Sequence, residues 1–220
     1  MTTITDTSRL STLSKRGARG AFVAALALAL SGLIQLVLVY PTPGPGEIGT
    51  TSAYLIESAH VIAWAGMILA FMGLRALHGQ RFGRLGNLSF FLASASNILL
   101  ALITTGVLIT TFTVGAEAAA SVFAPGTIGE LIANVFALPG FLTMIVWIPL
   151  MGIASWRANV VPRWCAVLLL AHPLFFFSLL ASYGFGGMAL GTLWLFVGLA
   201  VRSHYQRQHF INTFGQQQPV

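Results

Sequence analysis

The chain has 220 residues, of which 56% are hydrophobic and only 7% are charged, with 11 Lys and Arg against 5 Asp and Glu. Soluble domains carry about 25% charged residues, so this composition excludes a soluble globular domain, a disordered chain and a conventional nucleic-acid-binding protein. The single cysteine, Cys165, excludes a disulfide framework and a cysteine-based metal cluster, which leaves a multi-pass membrane protein.

Six apolar segments are candidates to cross a bilayer, whose hydrocarbon core needs about 20 residues of helix, and the last of them is the shortest. They run over residues 20–40, 53–74, 86–112, 127–154, 165–182 and 187–201. We therefore predict an all-α polytopic membrane protein, with six transmembrane helices in one domain over residues 18–203. The flanking residues 1–17 and 204–220 predict a disordered amino-terminal segment and a polar tail, both cytoplasmic.

The Lys and Arg residues alternate along the predicted topology. All 11 lie before the first span, between the second and third, between the fourth and fifth, or after the sixth, and the other three connections have none. Cytoplasmic connections of membrane proteins carry an excess of Lys and Arg. The pattern therefore predicts a protein of the inner or plasma membrane with both termini in the cytoplasm.

Several helix signals lie within the spans. Pro139, Pro149 and Pro173 predict kinks, because proline removes a backbone donor. The GxxxG step of Gly187 and Gly191 predicts close helix packing within the bundle, with a dimer interface as the alternative. At the start of the fourth span, Thr127-Ile-Gly-Glu130 fits a capping box.

The second span holds the most informative polar residues. Glu57 and His60 are three residues apart, so they share one helix face, and Trp64, Met67 and Phe71 continue that face. Ionisable groups are costly inside a membrane and mark functional sites there. We predict a proton-handling pair, although the pair also fits a structural role in which Glu57 reaches water.

Other spans contribute polar side chains to the outer half of the bilayer. With Glu57, His60 and Trp64, they predict an outward-facing ligand pocket whose further members are Gln35, Asn97, Asn134 and Tyr183. No metal site and no cofactor are expected. Haem is disfavoured because His60 and His172 lie at different depths. The other histidines, His78, His204 and His209, are expected to be ordinary surface residues.

Two segments carry a resemblance. The stretch Asn159-Val-Val-Pro-Arg-Trp-Cys-Ala-Val-Leu-Leu-Leu170 and the stretch from His60 to Leu77, which ends in Gly-Leu-Arg-Ala-Leu, resemble uncharacterised small six-helix membrane proteins of bacteria. This resemblance implies a topology and no activity. A fainter resemblance is to membrane-integrated terpene cyclases, and it implies that Glu57 protonates an isoprenoid. The second acidic residue that such cyclases use near the carboxyl end has no counterpart in this chain.

Three functions fit these residues. The first is a bundle that binds or moves a small lipophilic or amphiphilic molecule from the outer side of the bilayer. The second is a membrane-embedded enzyme acting on a lipid-soluble substrate, with Glu57 as general acid and His60 tuning it. The third is an accessory or structural subunit without a site. Besides the lipid bilayer, a homo-oligomer or a partner membrane subunit is a possible partner, and nucleic acid is not expected.

Overall fold

The computed structural model describes residues 4–39, 50–181 and 183–214, and at positions 4–11, 39, 116, 179–181, 183 and 208–214 it describes the backbone alone. Within these ranges the chain forms nine α-helices and no strand. The helices are α1 (Ile4–Ile34), α2 (Thr51–His78), α3 (Gly83–Val114), α4 (Ala116–Val122), α5 (Ile128–Leu142), α6 (Ile148–Ala158), α7 (Arg163–Leu170), α8 (His172–Ala181) and α9 (Tyr183–Phe214). Wider π-helical turns follow α1 (Gln35–Val39) and join α5 to α6 (Thr143–Trp147), and a 3-10 turn joins α2 to α3 (Gly79–Phe82).

Four continuous helical stretches are long and apolar enough to cross a membrane. They are Thr12–Leu38, Thr51–Val114, Ile128–Ala158 and Gly184–Arg207. The prediction of an all-helical chain with several helices of membrane-spanning length and composition is therefore confirmed for the described ranges.

The longest of these stretches, Thr51–Val114, folds back on itself at the 3-10 turn. Gly79 and Gly83 bracket that turn with φ of 52° and 65°, a backbone region that suits glycine. Across the turn, Nε of Arg75 donates to Oδ1 of Asn87 at 3.1 Å, and the Arg75 guanidinium lies 4.9 Å from the ring centre of Phe90. The helices α2 and α3 are therefore an antiparallel pair.

One face of α1 packs against α2 with the two backbones in direct contact. Gly17 lies against Gly73, and Gly66 lies against Gly20 and Ala24 one to two turns further along α1. A Cβ built on Gly66 would lie 2.7 Å from the carbonyl oxygen of Gly20 and 2.8 Å from the amide nitrogen of Ala24. The absence of side chains at these positions is what allows the two helices to approach so closely.

The other face of α1 packs against α9 in the same way. A Cβ on Gly187 would lie 3.0 Å from Cα of Gly32, and one on Gly191 would lie 2.7 Å from the carbonyl oxygen of Ala25. The GxxxG step thus packs within the bundle, as predicted.

The remaining helices close a ring in chain order. α3 packs against α2, α5 and α6, then α7 packs against α6, and α8 packs against α9. Trp194 and Phe71 are among the largest fully buried side chains, and their rings meet edge to face at 5.6 Å. The core of the bundle lies inside the ring, and it includes side chains of α1, α2, α3, α6, α7, α8 and α9.

Proline interrupts two helices near the places predicted. A wide turn begins at Thr143, four residues after Pro139, and Oγ1 of Thr143 donates to the carbonyl oxygen of Pro139 at 3.1 Å. The fifth predicted span is broken at Ala171, because Pro173 has no N–H to donate to the preceding turn. Pro149 lies in the first turn of α6, where proline is tolerated.

The predicted cap at the start of α5 is confirmed, although the carboxylate of Glu130 bonds to the amide before the N-cap residue Thr127 and not to that of Thr127 itself. Oγ1 of Thr127 accepts a hydrogen bond from the amide of Glu130 at 3.1 Å, and Oε2 of Glu130 accepts one from the amide of Gly126 at 2.7 Å. Glu130 therefore has a local structural role, as its position in the sequence indicates.

Both ends of the chain differ from the prediction. α1 begins at Ile4, so the predicted disordered segment is helical from that residue, and α9 continues into the predicted polar tail as far as Phe214. The reason is tertiary packing: Ser14 is buried, and Ser14 and Lys15 lie beside Arg202 and Tyr205 of α9. Contact between the two helices at these positions favours helix there, just beyond the predicted spans.

We expect Gly66→Ala to destabilise the protein, because its new methyl group meets the backbone of α1. Glycine-to-alanine in a helix gains about 0.5–1 kcal/mol of propensity, but overpacking costs about 1–3 kcal/mol. Gly106→Ala is the matched control, since a Cβ there meets no atom within 4 Å. Unfolding in detergent should give a lower midpoint for Gly66→Ala and an unchanged or higher one for Gly106→Ala. Equal midpoints would contradict the close packing.

Candidate functional site

The predicted acid and imidazole pair forms about two turns into α2, which begins at Thr51. Oε2 of Glu57 lies 3.7 Å from Nδ1 of His60, and the two side chains are 28% and 11% exposed. The prediction that they share a helix face is therefore confirmed. The Glu57 carboxylate is the more exposed member of the pair, and the His60 imidazole lies nearer the core.

The aromatic continuation of that face is also present. The rings of His60 and Trp64 are stacked with centroids 6.0 Å apart, and Trp64, Met67 and Phe71 are all buried in the core. One face of α2 is therefore polar and ionisable near its start, at Glu57 and His60, and apolar and aromatic further along. Such an arrangement suits a molecule with one polar and one apolar part.

The other predicted members of the pocket are placed differently. Gln35 is buried at the start of the wide turn that follows α1, and Asn97 is buried on α3 with its Nδ2 donating to the carbonyl oxygen of Ala93 at 2.8 Å. Asn134 is exposed on the surface of α5, away from the interior. The side chain of Tyr183 lies outside the described residues. The structure brings together Glu57, His60 and Trp64, and it leaves Asn134 apart.

A buried histidine at the break in the fifth predicted span was given no role by the sequence. Nδ1 of His172 lies 3.2 Å from the carbonyl oxygen of Met144, which belongs to the wide turn between α5 and α6. The His172 ring also meets Trp194 edge to face at 6.0 Å. The His172 imidazole thus joins the interruption between α5 and α6 to the interruption between α7 and α8. In the sequence, the adjacent Pro173 is the feature that could have indicated this position. Interrupted helices at membrane depth are tolerated only when other protein groups satisfy them.

Three cavities of about 400, 460 and 440 Å³ lie at the opposite end of the bundle, where the Lys and Arg residues gather. The second of these is lined by His78 and His204, among others. His78 is only 2% exposed, so its predicted surface position is wrong. Its Nδ1 lies 2.6 Å from the carbonyl oxygen of Leu74, and its ring stacks on Phe82 at 4.7 Å, which hold it inside the fold.

His78 lies beyond the second predicted span, and burial lowers its pKa. The hydrogen bond to the carbonyl oxygen of Leu74 raises this pKa, and nearby His204 lowers it further. The pKa of His204 is lowered by burial and by Arg207. Both imidazoles are therefore harder to protonate in the folded chain than in water. Across the described residues, no three His, Cys, Asp or Glu side chains converge on a point where a metal ion could bind.

Comparison with known proteins adds no relative. No protein-family model, no curated protein and no solved structure matches this chain.

The lowered histidine pKa values predict that acid destabilises the fold. A base whose pKa is lower when folded binds fewer protons in that state, so the free energy of unfolding falls as the pH drops below about 6.5, the ordinary pKa of histidine. Between pH 7.5 and 5.5 the unfolding midpoint in detergent should fall. The fall should be smaller in His78→Gln. An identical fall in both proteins would show that His78 does not cause it.

Proposed function

We propose that this chain is an integral membrane protein with six crossings and both termini in the cytoplasm, and that it binds a small lipophilic or amphiphilic molecule at the Glu57 and His60 end of α2. The proposal has two parts, a topology and a binding function, and each rests on separate observations.

The fold-back of residues 51–114 and the broken fifth segment support six crossings. A straight helix of 64 residues would be about 96 Å long, roughly three times the hydrocarbon core, so α2 and α3 are best assigned one crossing each. α7 and α8 together cover residues 163–181, which is about 28 Å of helix. The other three crossings are α1, α5 together with α6, and α9, which gives six crossings in total.

The distribution of charge supports the orientation. Antiparallel packing places the start of α1, the turn from α2 to α3, the end of α6 and the end of α9 at one end of the bundle. These are the segments that carry Lys and Arg, so one end of the bundle is basic. The cytoplasmic side is the one that retains Lys and Arg in membrane proteins.

The observation that carries the binding function is the pair of Glu57 and His60, 3.7 Å apart and only partly exposed, above a buried aromatic stripe. An acid and an imidazole inside an apolar bundle are costly unless they interact with each other or with a ligand. The pair supplies hydrogen-bonding and charged contacts for a polar group, and Trp64 supplies apolar surface below it.

The topology predicts where reporters work. A reporter that is active only outside the cytoplasm should be inactive when fused to either terminus, and active when fused after residue 120. If α7 and α8 do not cross, the two termini lie on opposite sides, and one terminal fusion becomes active. That result would reduce the number of crossings to five and overturn the proposed orientation of α9.

The binding function predicts that removing the carboxylate weakens ligand retention. Extracts of the purified protein, analysed by mass spectrometry, should contain a small molecule enriched over the detergent background. Glu57→Gln should retain at least about 10-fold less of it, because a hydrogen bond to a charged group contributes about 1.5–3 kcal/mol. Glu117→Gln is the matched control, since Glu117 is exposed at the same end of the bundle.

The outcomes separate the three functions. Retained binding with loss of turnover of an isoprenoid substrate in Glu57→Gln would favour the membrane-embedded enzyme. Equal recovery from the wild type, Glu57→Gln and Glu117→Gln, with no molecule above background, would favour an accessory subunit and overturn the binding function.

A further inference from the structure

A groove at the basic end of the bundle lies between α1 and α9. It opens into a cavity of about 400 Å³ whose charged lining residues are Lys15, Arg19 and Arg202. Lys15 and Arg19 are four residues apart and so share one face of α1, and Arg202 comes from the facing helix. Three cations from two helices therefore converge on one cavity.

No described carboxylate balances these cations. The acidic residues with described side chains are Glu57, Glu117 and Glu130, and Glu57 lies about 25 Å away along the bundle axis, from the rise of an α-helix. Nζ of Lys15 instead lies 5.2 Å from the ring centre of Tyr205, which holds the ammonium over the groove. Like charges gathered in one cavity repel each other, so an anion bound among them would be stabilised.

The groove continues from the cations into apolar surface. Phe22 follows Arg19 by three residues on the same side of α1 and also lines the cavity. Its ring packs against α9, since a Cβ on Gly198 would lie 3.3 Å from Cδ1 of Phe22. The next residue, Val23, is exposed. The groove therefore has cations at one end, then an aromatic side chain, then exposed apolar surface. This order matches a lipid with an anionic headgroup and an attached acyl chain.

We propose that this groove is a binding site for an anionic phospholipid, whose phosphate is held by Lys15, Arg19 and Arg202 and whose acyl chain runs past Phe22. The inference requires only that this end of the bundle meets the membrane surface. It rests on the proposed membrane topology and does not depend on ligand binding at Glu57, so loss of lipid binding here and loss of ligand binding there are separate results. Basic pockets between membrane helices are known to favour anionic headgroups.

Lipid binding by the full chain tests the proposal. Delipidated protein is titrated in detergent with phosphatidylglycerol or with phosphatidylcholine of the same acyl chains, and bound lipid is counted by native mass spectrometry. The wild type should bind phosphatidylglycerol more tightly. The double variant Lys15→Gln/Arg202→Gln should lose about 25-fold in that affinity, at about fivefold for each cation. Its affinity for phosphatidylcholine should fall less, because the choline cation of that lipid already offsets the attraction of its phosphate to the three cations, and an equal loss for both lipids would contradict selectivity for anionic lipid.

Two controls separate a built site from diffuse attraction. Arg84→Gln removes an exposed cation from the same end of the bundle, outside the three cavities, and should leave the preference intact. An effect equal to that of Arg202→Gln would overturn the proposal. Lys15→Arg conserves the charge and can still lie over Tyr205, so it should keep the preference, and loss of the preference in this variant would overturn the proposal.

A free anion is the other source of phosphate chemistry. Millimolar inorganic phosphate should not displace phosphatidylglycerol from the wild type, because the acyl chain contributes to binding. Displacement at that concentration would identify a site for a soluble anion and overturn the assignment to lipid. Because Arg202 is exposed, the single variant Arg202→Gln keeps the test valid if the double variant does not fold.

Discussion

The fold depends on direct backbone contact between α1 and its two neighbours. Glycine and alanine line both faces of α1 where α2 and α9 cross it. In lipid, helices gain little from burying apolar side chains, because the tails around them are equally apolar. Close van der Waals contact therefore has to supply the attraction, and small residues are what permit it. With α1 held on both sides, the remaining helices complete the ring in chain order.

That mode of packing limits which polar groups are available for function. Many Ser and Thr hydroxyls bond back to a carbonyl in their own helix; examples are Ser89 to Leu85, Ser96 to Leu92, Thr111 to Val107 and Thr192 to Met188. Such side chains neither join helices nor line a pocket. The groups that stand out are those that the helix cannot satisfy alone: the pair of Glu57 and His60, and His172, whose partner is the carbonyl of Met144 on another segment.

The two ends of the bundle carry different chemistry. One end presents an acid beside an imidazole above aromatic side chains, and the other presents cations around three cavities. This asymmetry follows from the alternating placement of Lys and Arg along the chain, combined with antiparallel packing.

The sequence by itself determined the local features. Helical segments, the capping box at Thr127, the interruptions near Pro139 and Pro173, and the shared face of Glu57 and His60 all depend on residues within a few positions of each other. Only the tertiary structure decided which side chains face inward. Asn134 is exposed, His78 is buried, and His172 meets Met144, because these placements depend on helix rotation and on neighbours distant in the chain. In a chain that is apolar on nearly every helix face, periodicity carries little information about rotation, so contact between helices has to settle it.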